Sequence, residues 1–230
     1  MSRCYSLRVT GVKRQAWAAR THWEGERTYT GTMDPAVLKA MVKWPSVPSV
    51  YGWLALDRRG TWTIKGEPIG NPAVAAFIGR NYERDEAGRY YFQNGPQRVF
   101  VSLAYAPFVL HVQPQPHGAA LLTHIGSGVP DCSEAFVDED GNLLIAFGRG
   151  VGLVCDRDLA DMVQRLRKAD GAMPTDEQLE ALATGTDLPG GAFLDLGWTR
   201  LPLRTIRSVE VAGRFGFNRD PRPAPGEPEC

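Results

Sequence analysis

Arg80-Asn81-Tyr82 and, a little further on, Gln93-Asn94-Gly95-Pro96-Gln97-Arg98 gather long polar side chains into two short strings. Arginine presents a planar fork of donors that meets a carboxylate or phosphate at two points. Such side chains form a recognition surface when a rigid turn holds them in place. Arg80, Asn81, Tyr82, Asn94, Gln97 and Arg98 are therefore the candidate binding residues, and a small anionic ligand or a protein partner is the occupant they suit. Each also has a purely structural use. Asn94-Gly95 makes a two-residue hairpin turn, Asn81 caps a helix end, and the arginines pair with Glu83 or Asp85.

Catalytic and metal chemistry find less support. Of the histidines His22, His111, His117 and His124, the last three are spaced by six and seven residues on apparent strands. Zinc sites draw their ligands from tight pairs on a turn or one helix face, so no metal site is expected. Gly148-Arg149-Gly150-Val151-Gly152 resembles part of a dinucleotide fingerprint. That fingerprint needs a helix N-terminus directly after it, and here the apolar run Leu153 to Cys155 intervenes. Asp138-Glu139-Asp140-Gly141-Asn142 starts like a calcium loop, but Leu143, Leu144 and Ile145 stand where ligands belong. No cofactor is implied.

Ser127, Ser133, Cys132 and Cys155 are the nucleophile candidates, and none lies in Gly-x-Ser-x-Gly or beside a base. The carboxylates following Cys155 disfavour its thiolate. A non-catalytic binding or interaction module is the leading reading. The first alternative is an enzyme with a noncanonical site near Arg80, Arg98 and His111, which requires those side chains to converge in one cleft. The second is a nucleic-acid binder, in which Tyr51, Tyr82, Tyr90 and Tyr91 would stack bases while Arg80 and Arg98 reach phosphates. The balance of 26 basic against 26 acidic residues, with no basic run, favours packing roles for those aromatics.

The elements that must position these residues are short strands and helices. Asp34-Pro35 opens a helix with Val37, Leu38, Met41 and Val42 on one face, since Asp caps free N–H groups and Pro at the first position loses no bond. Asn71-Pro72 opens a second, with Val74, Phe77, Ile78 and Tyr82 at helical spacing. Helices from Asp156 or Asp158 through Leu166, and from Thr175 to Ala183, bring the total to about four. Between them lie strands: hairpins from Tyr5 to Thr30, Tyr51 to Leu56 with Thr61 to Lys65, and Tyr90 to Gln93 with Arg98 to Tyr105. Further strands run around Phe108 to Val112, Ala119 to Ile125, Ala135 to Ile145, Val151 to Val154, Ala192 to Leu196 and Ile206 to Val211.

Asp57-Arg58-Arg59-Gly60, Asp85-Glu86-Ala87-Gly88 and Asp138-Glu139-Asp140-Gly141 repeat one turn chemistry, in which Asp bonds the turn backbone and Gly accepts positive φ. The fold class expected is α+β, mainly antiparallel sheet. Residues 1–217 form one domain with two similar lobes at about 45–113 and 118–170, and residues 218–230 form a disordered proline-rich tail. Hydrophobic residues at 43% and charged residues at 23% give the chain enough apolar surface to bury a core.

Cys4, Cys132, Cys155 and Cys230 are too scattered for a disulfide framework, and no apolar segment follows the N-terminus as in a signal peptide. The charge-free stretch from Val99 to Pro130 is interrupted by Pro107 and loses its apolar character near Val112, too short to cross a bilayer. A cytoplasmic location without membrane contact is the expectation.

The strings Tyr51-Gly52-Trp53-Leu54-Ala55-Leu56-Asp57-Arg58-Arg59-Gly60-Thr61-Trp62, Phe77-Ile78-Gly79-Arg80-Asn81-Tyr82 and Phe92-Gln93-Asn94-Gly95-Pro96-Gln97-Arg98-Val99 resemble a proteobacterial family known as a domain of unknown function. The resemblance covers about Trp44 to Lys168. A more distant similarity, to a second bacterial family of that kind, rests on Gly60, Trp62, Gly66, Pro68, Ile69, Asp85, Gly88, Ala106, Pro107 and Phe108. Both resemblances imply a shared fold, and neither brings catalytic residues with it.

Overall fold

A computed structural model describes residues 33–43 and 49–224. The hairpins expected between Tyr5 and Thr30 lie outside these residues. Helix α1 spans Pro35–Lys43, opened as its sequence predicts: Asp34 Oδ1 accepts from the Ala36 N–H at 2.9 Å. Its expected apolar face is only partly used, because Val37 is buried while Leu38 and Val42 are exposed.

A first sheet follows from β1 (Val50–Leu56), β2 (Trp62–Ile64), β3 (Glu67–Pro68), then α2 (Pro72–Arg80), β4 (Tyr82–Arg84), β5 (Tyr90–Asn94) and β6 (Gln97–Leu103). Its strand order is β3-β2-β1-β6-β5-β4. The second sheet is built from β7 (Phe108–Gln115), β8 (Gly118–Thr123), β9 (Cys132–Val137), β10 (Leu143–Phe147), β11 (Gly150–Val154), β12 (Leu166–Lys168), β13 (Ala192–Asp195) and β14 (Arg200–Thr205). Three helices accompany it: α3 (Leu159–Val163), α4 (Asp176–Ala183) and α5 (Ser208–Arg214). Its order is β12-β13-β14-β9-β10-β11-β7-β8.

Read from the other end, the segment β11-β10-β9-β14-β13-β12 reproduces the first sheet's order with every number raised by eight. The resemblance extends to direction. β1 pairs in parallel with β6, as β9 does with β14, and the remaining neighbours within each set are antiparallel. A helix stands between the third and fourth strand of each set, α2 in one and α3 in the other. The unit thus runs over 50–103 and again over 132–205, with the hairpin β7–β8 between them laid against β11. These bounds differ from lobes at 45–113 and 118–170, because β7 belongs to the second sheet and three strands after residue 165 complete the second unit. The fold is α+β, and both sheets are mixed.

The turns follow their local chemistry. Asp57 Oδ1 accepts from the N–H groups of Arg59 and Thr61 at 2.8 and 2.7 Å, and Asp138 Oδ1 accepts from those of Asp140 and Asn142 at 3.0 and 2.9 Å. Both sheets bury side chains in one core, where Phe108 of the second meets Tyr82 and Tyr90 of the first at ring-centroid distances of 6.0 and 5.8 Å. His124 is partly buried beside Trp62 and Tyr82, with Nδ1 accepting from the Val109 N–H at 3.3 Å, and removal from water pushes its pKa down to about 3.

Four sequence expectations need correction. Tyr82 begins β4 rather than extending α2, and Leu166 begins β12 rather than ending α3. Ile206 to Val211, expected as a strand, is the approach to α5 and most of that helix. Asn218 and Arg219, assigned by composition to a loose tail, are tied to the body: Asn218 N donates to Gly88 O at 2.9 Å, and Leu103 N donates to Arg219 O at 2.8 Å. Among the described residues no helix is long and apolar enough to cross a membrane.

Candidate functional site

Alternation along β5 sends Tyr90 and Phe92 into the shared core and Tyr91 to the opposite face of the first sheet. There Tyr91 pairs across strands with Phe100, and Tyr51 of β1 stacks on Phe100 at 4.5 Å with 7° between the rings. Two arginines lie on this aromatic layer. The guanidinium carbon of Arg89 sits 4.4 Å from the Phe100 ring centre, and that of Arg98 sits 4.7 Å from the Tyr91 ring centre.

Arg89 is held tightly. Its Nε donates to Asp85 Oδ2 at 2.8 Å and its Nη1 to the Tyr51 hydroxyl at 3.1 Å. Arg84, on the edge strand β4, donates to the Gly216 carbonyl. Arg84, Asp85, Glu86, Arg89, Tyr91 and Arg98 line an open groove of about 510 Å³. Three guanidinium groups thus face two carboxylates, one of which is engaged with Arg89. Among the described residues Arg98 has no ion-pair partner. Burial pushes the Tyr91 hydroxyl pKa up, and the Arg98 charge beside it pulls the other way.

The six candidates from the sequence separate. Arg98 enters the groove. Asn81 is fully buried at the end of α2, donating through Nδ2 to Phe77 O at 2.9 Å and accepting at Oδ1 from the Asp34 N–H at 3.0 Å. That bond ties the start of α1 to the end of α2. Tyr82 is also fully buried and donates to Pro107 O at 3.0 Å. Arg80 is exposed above Phe77, at 5.9 Å from its ring centre. Asn94 and Gln97 are paired at the mouth of the β5–β6 turn, where Gly95 takes a φ of 58°.

Arg84 and Arg89 were not among the candidates, yet the sequence carries their signal. They flank Asp85-Glu86-Ala87-Gly88, and a hairpin over that turn sets its flanking residues beside each other, with Asp85 N donating to Arg89 O at 3.0 Å. His111, part of the catalytic alternative, lies on β7 of the other sheet, with Nδ1 3.7 Å from Asp158 Oδ2, and takes no part in the groove.

Fold and groove together define a class: a two-sheet α+β protein with an internal duplication of strand order and an arginine-lined groove on the outer face of one sheet. A family model, DUF2944, described as "Protein of unknown function (DUF2946)", matches residues 33–222, and the chain belongs to that family. The match is wider than the span from Trp44 to Lys168 over which the sequence strings resemble a family of this kind.

Among solved structures the chain is similar to a DUF1285 family protein from Silicibacter pomeroyi, with 18% identity, a TM-score of 0.47, and coverage of 76% of this chain and 88% of that one. It is also similar to a DUF1285 family protein from Shewanella baltica, with 19% identity, a TM-score of 0.38, and coverage of 48% and 90%. No curated protein matched the chain.

Proposed function

We propose that this protein is a binding module that takes a small anionic ligand, a carboxylate or a phosphate, in the groove lined by Arg84, Arg89 and Arg98. The observation that carries this reading is the state of Arg98, stacked on Tyr91 with no carboxylate partner among the described residues. Stacking fixes the plane of a guanidinium while leaving its edge donors available, which is how arginine meets an oxyanion at two points. Arg89 and Asp85 hold each other and supply the rigid wall. A cytoplasmic setting fits the two described cysteines, Cys132 and Cys155, which are free thiols.

Calorimetric titration of the full chain with inorganic phosphate and with succinate, against chloride at matched ionic strength, tests this. At least one of the two anions binds, and Arg98→Ala weakens it by about tenfold or more, the worth of one charge-assisted hydrogen bond. The same substitution costs under about 1 kcal/mol of stability, since an exposed cation–π contact is worth no more. Equal affinity in wild type and Arg98→Ala, or no heat with either anion, defeats the reading.

A further inference from the structure

A second constellation lies on the other sheet. Strands β7 and β11 run parallel with Val154 opposite Leu110, and Cys155 N donates to Leu110 O at 2.9 Å, so His111 and Cys155 leave neighbouring strands side by side. The chain then turns back on itself: Asp158 N donates to Cys155 O at 2.9 Å. A ring nitrogen of His111, Cys155 Sγ and a carboxylate oxygen of Asp158 consequently lie within 4.8 Å of one another, and His111 Nδ1 is 3.7 Å from Asp158 Oδ2.

We propose that His111, Cys155 and Asp158 hold a divalent transition-metal ion, zinc by donor type, with a fourth position left to water or a ligand. An imidazole, a thiolate and a carboxylate form a mixed set that suits zinc, whereas magnesium and calcium take oxygen donors alone. Tetrahedral zinc with bonds of about 2.0 to 2.3 Å sets its ligand atoms roughly 3.3 to 3.6 Å apart. The His111–Asp158 separation of 3.7 Å is near that range, and the three donors draw together from within 4.8 Å to hold an ion.

The surroundings orient these ligands. The Val112 N–H donates to Asp158 Oδ2 at 3.0 Å, fixing the carboxylate as an outer hydrogen bond does around a bound metal. Asp156 accepts from Cys155 Sγ at 3.5 Å and is itself gripped by Arg59, whose Nε is 3.0 Å from Oδ2. Burial, with Asp156 and Asp158 adding to it, pushes the Cys155 thiol pKa up. A dication reverses that logic, because the same carboxylates that oppose a bare thiolate attract a doubly charged ion. Access is open on one side: Cys155 is buried, but the His111 side chain is 41% exposed.

The test uses the full chain, reduced, stripped with a chelator and titrated with Co²⁺ and then Zn²⁺. One Co²⁺ per chain binds with a thiolate-to-metal charge-transfer band, and one Zn²⁺ displaces it. Cys155→Ser abolishes the band, and His111→Ala, a change at a half-exposed side chain, weakens Co²⁺ binding about tenfold or more. Should Cys155→Ser fail to fold by circular dichroism, His111→Ala and Asp158→Asn decide. Absence of the band in wild type overturns the site, as does a band of unchanged affinity in the variants that fold, which would place the metal on Cys4, Cys132 or Cys230.

Discussion

Asn81 and Arg98 look alike in the sequence, polar residues in neighbouring strings, and the structure places them in opposite settings, one buried and bonded on both sides, the other exposed over Tyr91. Asn81 bridges two helices from a fully buried position. Replacing it with Ala strands the Phe77 carbonyl and the Asp34 N–H, and urea unfolding should show a loss of roughly 1–3 kcal/mol. Anion binding in the groove should be unchanged by that substitution, the reverse of the pattern for Arg98→Ala. The capping role of Asn81 was legible because it depends on local spacing. The isolation of Arg98 was not, since pairing with Glu83 or Asp85 was equally consistent with the sequence, and only the register of β5 on β6 settles that Arg98 lies over Tyr91.

Among the elements, hairpins were the most readable, because an Asp-x-x-Gly turn satisfies its own backbone within four residues. Helix α5 was misread for the complementary reason. Ile206, Val209 and Val211 are β-branched, but distant partners fix the helix start: Ser208 N and Oγ donate to Glu139 at 2.8 and 2.6 Å. His111 and Cys155 were likewise invisible as a pair, since parallel pairing of strands joined by a long connection leaves no spacing signature.

That pairing depends on a glycine. A Cβ on Gly152 would stand 2.5 Å from Leu110 Cγ, and Leu110 is fully buried. Gly152→Ala should therefore cost about 1–3 kcal/mol by overpacking, as read from the denaturation midpoint, and trimming the neighbour in Gly152→Ala/Leu110→Val should recover part of it.

At the scale of the whole molecule, two sheets of like strand order share one hydrophobic core, with Phe108 touching Tyr82 and Tyr90 across it and Phe147 within its own sheet. Neither half has its buried face to itself, so circular dichroism and tryptophan fluorescence should report one coincident unfolding transition. Phe108→Ala should lower its midpoint by about 3–5 kcal/mol of stability without splitting it. Two separated transitions would show that the halves fold independently. The duplication was only faintly readable, as hairpin and helix recurring around residues 53–83 and 135–168, because strand order is conserved in space while the side chains that impose it differ.

The two halves also end differently. A sheet's last strand offers a row of unpaired N–H and C=O groups to any passing chain, which is the route to aggregation. In the second half β11 is sealed by the hairpin β7–β8. Its counterpart β3 remains at the margin, but it is two residues long, Glu67 and Pro68, one charged and the other without an N–H to donate. One half is thus covered by an added hairpin and the other kept short, so neither β11 nor β3 offers a further copy of the chain a long unpaired edge.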